Sequence, residues 1–230
     1  KIKKSFEYDL NITLLAVKFI KNYNKYLDEL KKEYLELNFL RHAKTKMNKK
    51  NTFMGIKNNP KILSFSTKKI NKIRYDFVIV SELQRSQLTA KLFNYKKIIK
   101  NHLINEIDYG KADGMSYKEF KKRYPNIIKS WNNKIDIRFP SGENTNDVKL
   151  RVKEFFRYLK RFKKNFKILI ISHSFFLRTL ISVILNINIK LAYKINVDHL
   201  NIYQFLKKRD KILPNFRRSD LDKIYTQIND

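Results

Sequence analysis

The stretch Leu37-Asn38-Phe39-Leu40-Arg41-His42 sets the reading of the fold: a largely apolar run, too short for a helix, stops abruptly at a guanidinium and an imidazole. Two further runs have the same form. Phe77 to Val80 gives way to Ser81, with Arg85 four residues on, and Ile168 to Ile171 gives way to Ser172 and His173. Short runs rich in Val, Ile, Leu and Phe read as strands buried on both faces. Helical patterns lie between and after them: Leu83 to Phe93, a turn-rich stretch from Tyr117 to Trp131, Val148 to Phe162, and Phe175 to Leu185. A fourth strand is expected around Asn201 to Leu206. Strands alternating with helices predict an α/β fold, a three-layer sandwich with a largely parallel central sheet and helices on both faces.

Ahead of the first strand, Ile20, Tyr23, Leu27, Leu30 and Tyr34 recur at spacings of three and four, as one face of an amphipathic helix does. Residues 1–35 are therefore expected to form an N-terminal helical extension, and 36–230 the domain proper. Beyond Lys207 the chain is highly charged, with a short helix expected from Ser219 to Ile228. The chain begins at Lys1 rather than Met, as expected of one trimmed at its start.

Composition narrows the chemistry. With 43% hydrophobic residues, 17 Phe and 13 Tyr, the chain is far too apolar for disorder, while only four Gly and four Pro leave most turns to Asn, Asp, Ser and Lys. The absence of cysteine excludes disulfides, thiolate metal sites and a cysteine nucleophile. No apolar stretch approaches the roughly 20 residues of a membrane-spanning helix, so the expectation is a soluble, cytoplasmic protein with no membrane partner. The formal charge of +30 comes mostly from Lys spread along the whole chain. Readers of nucleic acid usually gather their basic residues on one face. A nucleic-acid partner is therefore disfavoured, and a general attraction for anionic substrates is expected.

Active sites of open α/β sheets form just beyond the carboxyl ends of the strands. Two of the four histidines fall at such exits, with Arg41 and Arg85 beside them. Arginine forks bind phosphate bidentately and keep their charge, so a phosphorylated small molecule is the natural ligand. A metal is disfavoured because the acidic residues near the exits are few and match no ligand spacing.

These residues also carry a resemblance. Leu40-Arg41-His42-Ala43-Lys44-Thr45-Lys46-Met47-Asn48 resembles the signature of the histidine phosphatase superfamily, the family that includes the cofactor-dependent phosphoglycerate mutases. The continuation to Gly55 is similar to the mutase branch. Ser81-Glu82-Leu83-Gln84-Arg85 with Thr89-Ala90, Ile104 to Gly110 with Gly114, Ser141 to Asn144 with Arg151, and Ile171-Ser172-His173 with Arg178 resemble the later blocks, in order, over about residues 36 to 206. The departures are Ala43 and Ser174 where Gly is usual, Ala112 and Asp113 where an aromatic and Glu are common, and Thr52 where the mutases usually carry Arg.

The resemblance implies a neutral His42 that attacks phosphorus, with Glu106 as general acid and Asp108 as the alternative acid. Arg41, Arg85 and a protonated His173 would hold the phosphate oxygens, aided by Asn48 and Ser174, without a metal. His102 and His199 match no block and are read as partly buried or surface histidines. For Glu82 and Glu143 a turn or capping role and contact with substrate are equally open, and Arg151 and Arg178 suit helices that support loops. Only 67 residues separate Glu106 from His173, which is short for a mutase cap and leaves room for water. A phosphomonoesterase acting on small phosphorylated metabolites or phosphoproteins is expected. The alternative is a phosphoglycerate mutase that requires 2,3-bisphosphoglycerate, and a third reading is a weakly catalytic basic scaffold for nucleic acid or a partner protein. A homodimer is left open.

Overall fold

The computed structural model describes residues 33–50, 52–63, 72–133 and 135–215. The helix expected over residues 1–35 falls almost wholly outside them, as does the one expected from Ser219 to Ile228. Among the described residues six strands form one sheet: β1 (Leu35–Arg41), β2 (Arg74–Val80), β3 (Asn94–Lys100), β4 (Lys167–Ser172), β5 (Ile202–Lys208) and β6 (Lys211–Pro214). Their order across the sheet is β3-β2-β4-β1-β5-β6. The first four in that order are mutually parallel, while β5 and β6 add on antiparallel beyond β1.

The central strands are buried on both faces, which explains their continuous apolar runs. On β4, Ile168 and Ile170 belong to one core cluster, Leu169 and Ile171 to the other. The first cluster packs against α4 (Thr145–Tyr158) and α5 (Ser174–Ile184) through Val148, Val152, Phe155, Phe176 and Leu180. The second receives Ala90 from α1 (Gln84–Ala90), together with Leu92 and Phe93. These are the three layers of the sandwich.

Two strands depart from expectation. The helix expected through Phe93 ends at Ala90, and Asn94 to Lys100 (NYKKIIK) forms edge strand β3 beside β2. With β2 as its one neighbour among the described strands, β3 leaves Lys96, Lys97 and Lys100 exposed, so its sequence lacks the apolar signature of a central strand. The charged segment after Lys207 returns as β6, through a turn in which Arg209 takes a φ of 53°.

A cap rises from the sheet between β3 and β4. It holds α2 (Tyr117–Arg123) and α3 (Pro125–Asn132). Ser116 and Glu119 form a reciprocal capping box that starts α2, and Pro125 opens α3 at a position where a missing N–H costs nothing. Aromatic rings fill the cap: Phe120 lies 5.1 Å from Phe53, 5.8 Å from Trp131 and 5.7 Å from Phe139, between ring centroids. Among the described residues no helix is long and apolar enough to cross a membrane.

Phe120 is fully buried at the centre of this cluster. Phe120→Ala is expected to cost about 3–5 kcal/mol, as truncation of a packed phenylalanine does. Urea titration followed by circular dichroism measures it, and a loss below about 1 kcal/mol would mean that the cap is not packed as described.

Candidate active site

The register of the parallel strands levels their exits. Arg41 pairs with Ser172, and Val80 pairs with Ile171, so His42, Ser81 and His173 emerge side by side. The backbone continues the ladder one step further, with the His42 N–H donating to the Ser172 carbonyl at 3.0 Å.

His42 is 1% exposed. Its Nδ1 lies 2.7 Å from the Ala43 carbonyl. A carbonyl can only accept, so Nδ1 carries the proton and Nε2 keeps its lone pair. Burial and the neighbouring Arg85 push the imidazole well below its ordinary value of 6.5. The turn that follows is fixed by Thr89, whose hydroxyl receives the Ala43 N–H and donates to the Arg85 carbonyl.

The His173 ring lies 5.0 Å from that of His42. Its Nδ1 accepts from Arg85 Nε at 3.1 Å, and its Nε2 meets the Ser81 hydroxyl at 2.7 Å. Because Arg Nε–H can only donate, Nδ1 is bare and His173 is neutral. Burial and Arg85 act in the same direction. The protonated His173 of the sequence reading is therefore corrected: its surroundings leave no room for a second ring proton.

Arg85 is fully buried. Its fork donates to three main-chain carbonyls, those of Asn58 (3.0 Å), Gly55 (2.9 Å) and Met54 (3.4 Å). Burial pulls it down to about 10, with Glu106 and Asp113 opposing, so it stays charged at neutral pH. Asp113 holds the carbonyl-bearing loop in place by accepting the Gly55 and Lys57 N–H groups at 3.1 and 2.8 Å and the Asn58 amide at 2.8 Å. Arg41 donates to the Val197 carbonyl at 2.9 Å, while its buried Nε has no partner.

Glu106 is 6% exposed and arrives from another part of the chain. Helix α5 begins directly after His173 without a capping side chain of its own. Glu106 supplies the cap instead: its Oε1 accepts from the N–H groups of Phe175 and Phe176 at 3.1 and 3.2 Å, and from Ile107 at 3.1 Å. A carboxylate suits the positive end of the helix dipole. Arg151 steadies this segment by donating to the carbonyls of Leu103, Asn105 and Glu106, while Glu143 pairs with it and accepts the Asp108 N–H at 2.9 Å.

Other expected residues fall as follows. Asn48 uses its side-chain oxygen to accept from the Thr45 N–H and hydroxyl, closing the turn after His42. Ser174 is the first residue of α5, half-buried beside His173. Asp108 turns away to accept the Gly110 N–H, so Glu106 alone of the two acids lies against α5. Arg178 lies on α5 with a buried, unpartnered Nε. His102 is exposed and lies outside the cluster.

His199 is the residue that the sequence reading missed. Its Nδ1 donates to the His42 carbonyl at 2.6 Å, and its ring stands 5.3 Å from that of His42. Burial and Arg41 pull it down to about 4, so it is neutral at pH 7. The available signal was its place just ahead of the expected strand at Asn201. Because that strand runs antiparallel to β1, its start lies beside the end of β1. Among the described residues no three His, Asp or Glu side chains gather as metal ligands would.

Known proteins resemble this chain in sequence and in fold. Residues 37–213 match the family model of the histidine phosphatase superfamily (branch 1). The chain is 36% identical over 111 residues to fructose-2,6-bisphosphatase of Saccharomyces cerevisiae, a match covering 48% of this chain but only 24% of that protein. It is 26% identical over 189 residues to the 2,3-bisphosphoglycerate-dependent phosphoglycerate mutase of Allorhizobium ampelinum, covering 69% of this chain and 89% of that one. In fold it is similar to a putative alpha-ribazole-5'-P phosphatase of Escherichia coli, with a TM-score of 0.71 and 19% identity over 81% of this chain and 97% of that one. With the family model spanning well over half its length, the chain belongs to branch 1 of the histidine phosphatase superfamily.

Proposed function

We propose that the chain is a phosphomonoesterase acting on small phosphorylated molecules through a phosphohistidine at His42. The observation that carries this reading is the 2.7 Å contact between His42 Nδ1 and the Ala43 carbonyl, an acceptor that calls for the proton on Nδ1 and so leaves Nε2 as the nucleophile among buried arginines. In the first step Nε2 forms a bond to phosphorus as the ester P–O bond breaks, and Glu106 gives its proton to the departing oxygen. Oε1 accepts from three backbone N–H groups and Oε2 only from that of Phe175, at 3.3 Å, so Oε2 is the less committed oxygen and is assigned this proton. In the second step the Glu106 carboxylate takes a proton from water as that water attacks phosphorus, releasing inorganic phosphate and His42. Covalent catalysis divides one difficult displacement into two easier ones.

Arg41 supplies the free Nε donor to the phosphate oxygens, and Arg85 adds fixed positive charge. Asn48 and Ser174 contribute further donors at the two ends of the cluster. His173 is assigned a positioning role, its neutral ring locking the Arg85 fork against Ser81. The charges that this chemistry uses come from side chains and backbone, without a metal. Mutase chemistry is the second reading, favoured by the match to the Allorhizobium mutase, and it would add 2,3-bisphosphoglycerate as a cofactor. Incubation with 3-phosphoglycerate and 2,3-bisphosphoglycerate separates the two, since interconversion without phosphate release belongs to the mutase alone.

Three outcomes are expected. Acid quenching during turnover of a radiolabelled phosphomonoester should trap acid-labile protein phosphate in the wild type. His42→Ala should trap none and turn over at least ~10³-fold more slowly. Label that persists in His42→Ala would place the nucleophile elsewhere.

The unfolded histidines take protons near pH 6.5, whereas buried His42 and His173 resist them and His199 takes one only near pH 4. The unfolded state therefore binds more protons below pH 6.5, and stability falls as the pH drops. The thermal midpoint should decline from pH 7 to pH 5, and nitrogen NMR should show His42 still neutral at pH 5.5. A His42 titration centred near 6.5 would contradict the buried geometry.

His199→Phe should lower kcat about tenfold with KM nearly unchanged, because it releases the His42 backbone without touching substrate. His199→Asn, whose amide can donate to the same carbonyl, should restore most of the loss. Equal damage from both variants would make His199 merely structural.

A further inference from the structure

Ser81 and Ser86 carry two fully buried hydroxyls that neither step of the reaction uses. Their oxygens lie 2.8 Å apart, and Ser81 Oγ is also 2.7 Å from His173 Nε2. Ser81 follows the last residue of β2, whereas Ser86 stands in the first turn of α1. With Arg85 and His173 they make a row of four fully buried polar side chains, each within hydrogen-bond reach of the next.

Buried donors and acceptors pair in nearly all cases, and here the count allows one arrangement. Arg85 Nε can only donate, so its proton goes to His173 Nδ1 at 3.1 Å and the neutral ring keeps its own proton on Nε2. That proton faces Ser81 Oγ. The Leu83 N–H also donates to Ser81 Oγ, at 3.2 Å, so both lone pairs of this oxygen are filled. The Ser81 proton is left with Ser86 Oγ as its acceptor. Ser86 in turn donates to the carbonyls of Ser81 and Leu83, both at 3.1 Å, and a carbonyl gives no proton back. The row therefore has one direction, from the guanidinium to those two carbonyls.

That direction serves the buried cation. A ring that donates from Nε2 gains electron density at Nδ1, and hydrogen bonds in a row strengthen one another. The two hydroxyls thus make Nδ1 a better acceptor for Arg85. Turned the other way, the Ser81 hydroxyl would donate to Nε2, the ring proton would move to Nδ1, and it would meet Arg85 Nε–H head-on. Ser86 Oγ, at the far end of the row, decides between the two.

We infer that Ser81 and Ser86 are positioning residues for phosphoryl transfer, whose hydroxyls set the tautomer of His173 and through it hold the Arg85 guanidinium in place beside His42. The inference rests on the phosphatase reading above and adds two members to that site.

Long-range proton–nitrogen NMR reads the tautomer directly, with His173 assigned through its backbone among the four histidines. The wild type should show Nε2 protonated and Nδ1 bare. In Ser86→Ala the Ser81 proton has lost its acceptor and competes for Nε2, so the Nδ1 resonance should move toward that of a protonated nitrogen. The double variant Ser81→Ala/Ser86→Ala removes the competing proton as well and should bring the resonance back. Side chains that merely fill space would give no such reversal. A wild-type ring protonated on Nδ1, or nitrogen shifts that Ser86→Ala leaves unmoved, would overturn the proposal.

Turnover is read separately. With 4-nitrophenyl phosphate, Ser86→Ala should lower kcat/KM about tenfold, the low end of what losing the partner that orients a functional histidine costs. The double variant should recover part of that loss. The expected tautomer and its reversal in a protein that releases phosphate from no ester would keep the row of hydroxyls and sink the phosphatase reading. Phosphate release through His42 with a tautomer that does not respond would do the reverse.

Discussion

The pairing of β1 with β4 is the constraint on which the rest depends. In a parallel ladder a shift of one residue turns every side chain to the other face. The register that sets Leu37 against Ile168 also sets Arg41 against Ser172, so core burial and alignment of the two histidine-bearing exits are decided together. Apolar packing of Phe39 and Ile170 therefore holds the site in place from below. The hydrogen bond from the His42 backbone to Ser172 extends the same ladder into the cluster.

Above that ladder the difficulty is electrostatic. Arg85 is a fully buried cation, and an unpaired buried charge is very costly. The fold answers with dipoles rather than a single counter-ion: three carbonyls of the 54–58 loop and the Nδ1 of His173 surround the fork. Asp113 then pins that loop through its backbone. Its short arm reaches the Gly55 and Lys57 N–H groups and the Asn58 side-chain amide. Glu106 solves a second problem in the same economical way, because its carboxylate satisfies the orphan N–H groups of Phe175 and Phe176 in the first turn of α5.

Much of this was legible in the sequence, for physical reasons. Strands buried on both faces must be apolar throughout, so β1, β2 and β4 stood out, and the polar residues that end them marked the exits. Edge strands need no such signature. The lysines of β3 and the brief KILP of β6 carry little apolar pattern, and neither strand was anticipated. Residue types at the site were readable; their protonation was not, because it depends on neighbours brought from far along the chain. His173 looks like a cationic phosphate ligand until Arg85 is seen donating to it. His199 shows the same limit, since its approach to His42 follows from the antiparallel direction of β5, which no local pattern reveals.

The two margins of the sheet differ in length but share one property. At β3 the outward lysines would confront their own counterparts if a second copy tried to extend the ladder. At β6 the strand is four residues long and finishes at Pro214, which has no N–H to offer an incoming neighbour. Fibrillar or runaway stacking through either border is opposed by charge on one side and by a missing donor on the other, a safeguard suited to a chain this rich in isoleucine and phenylalanine.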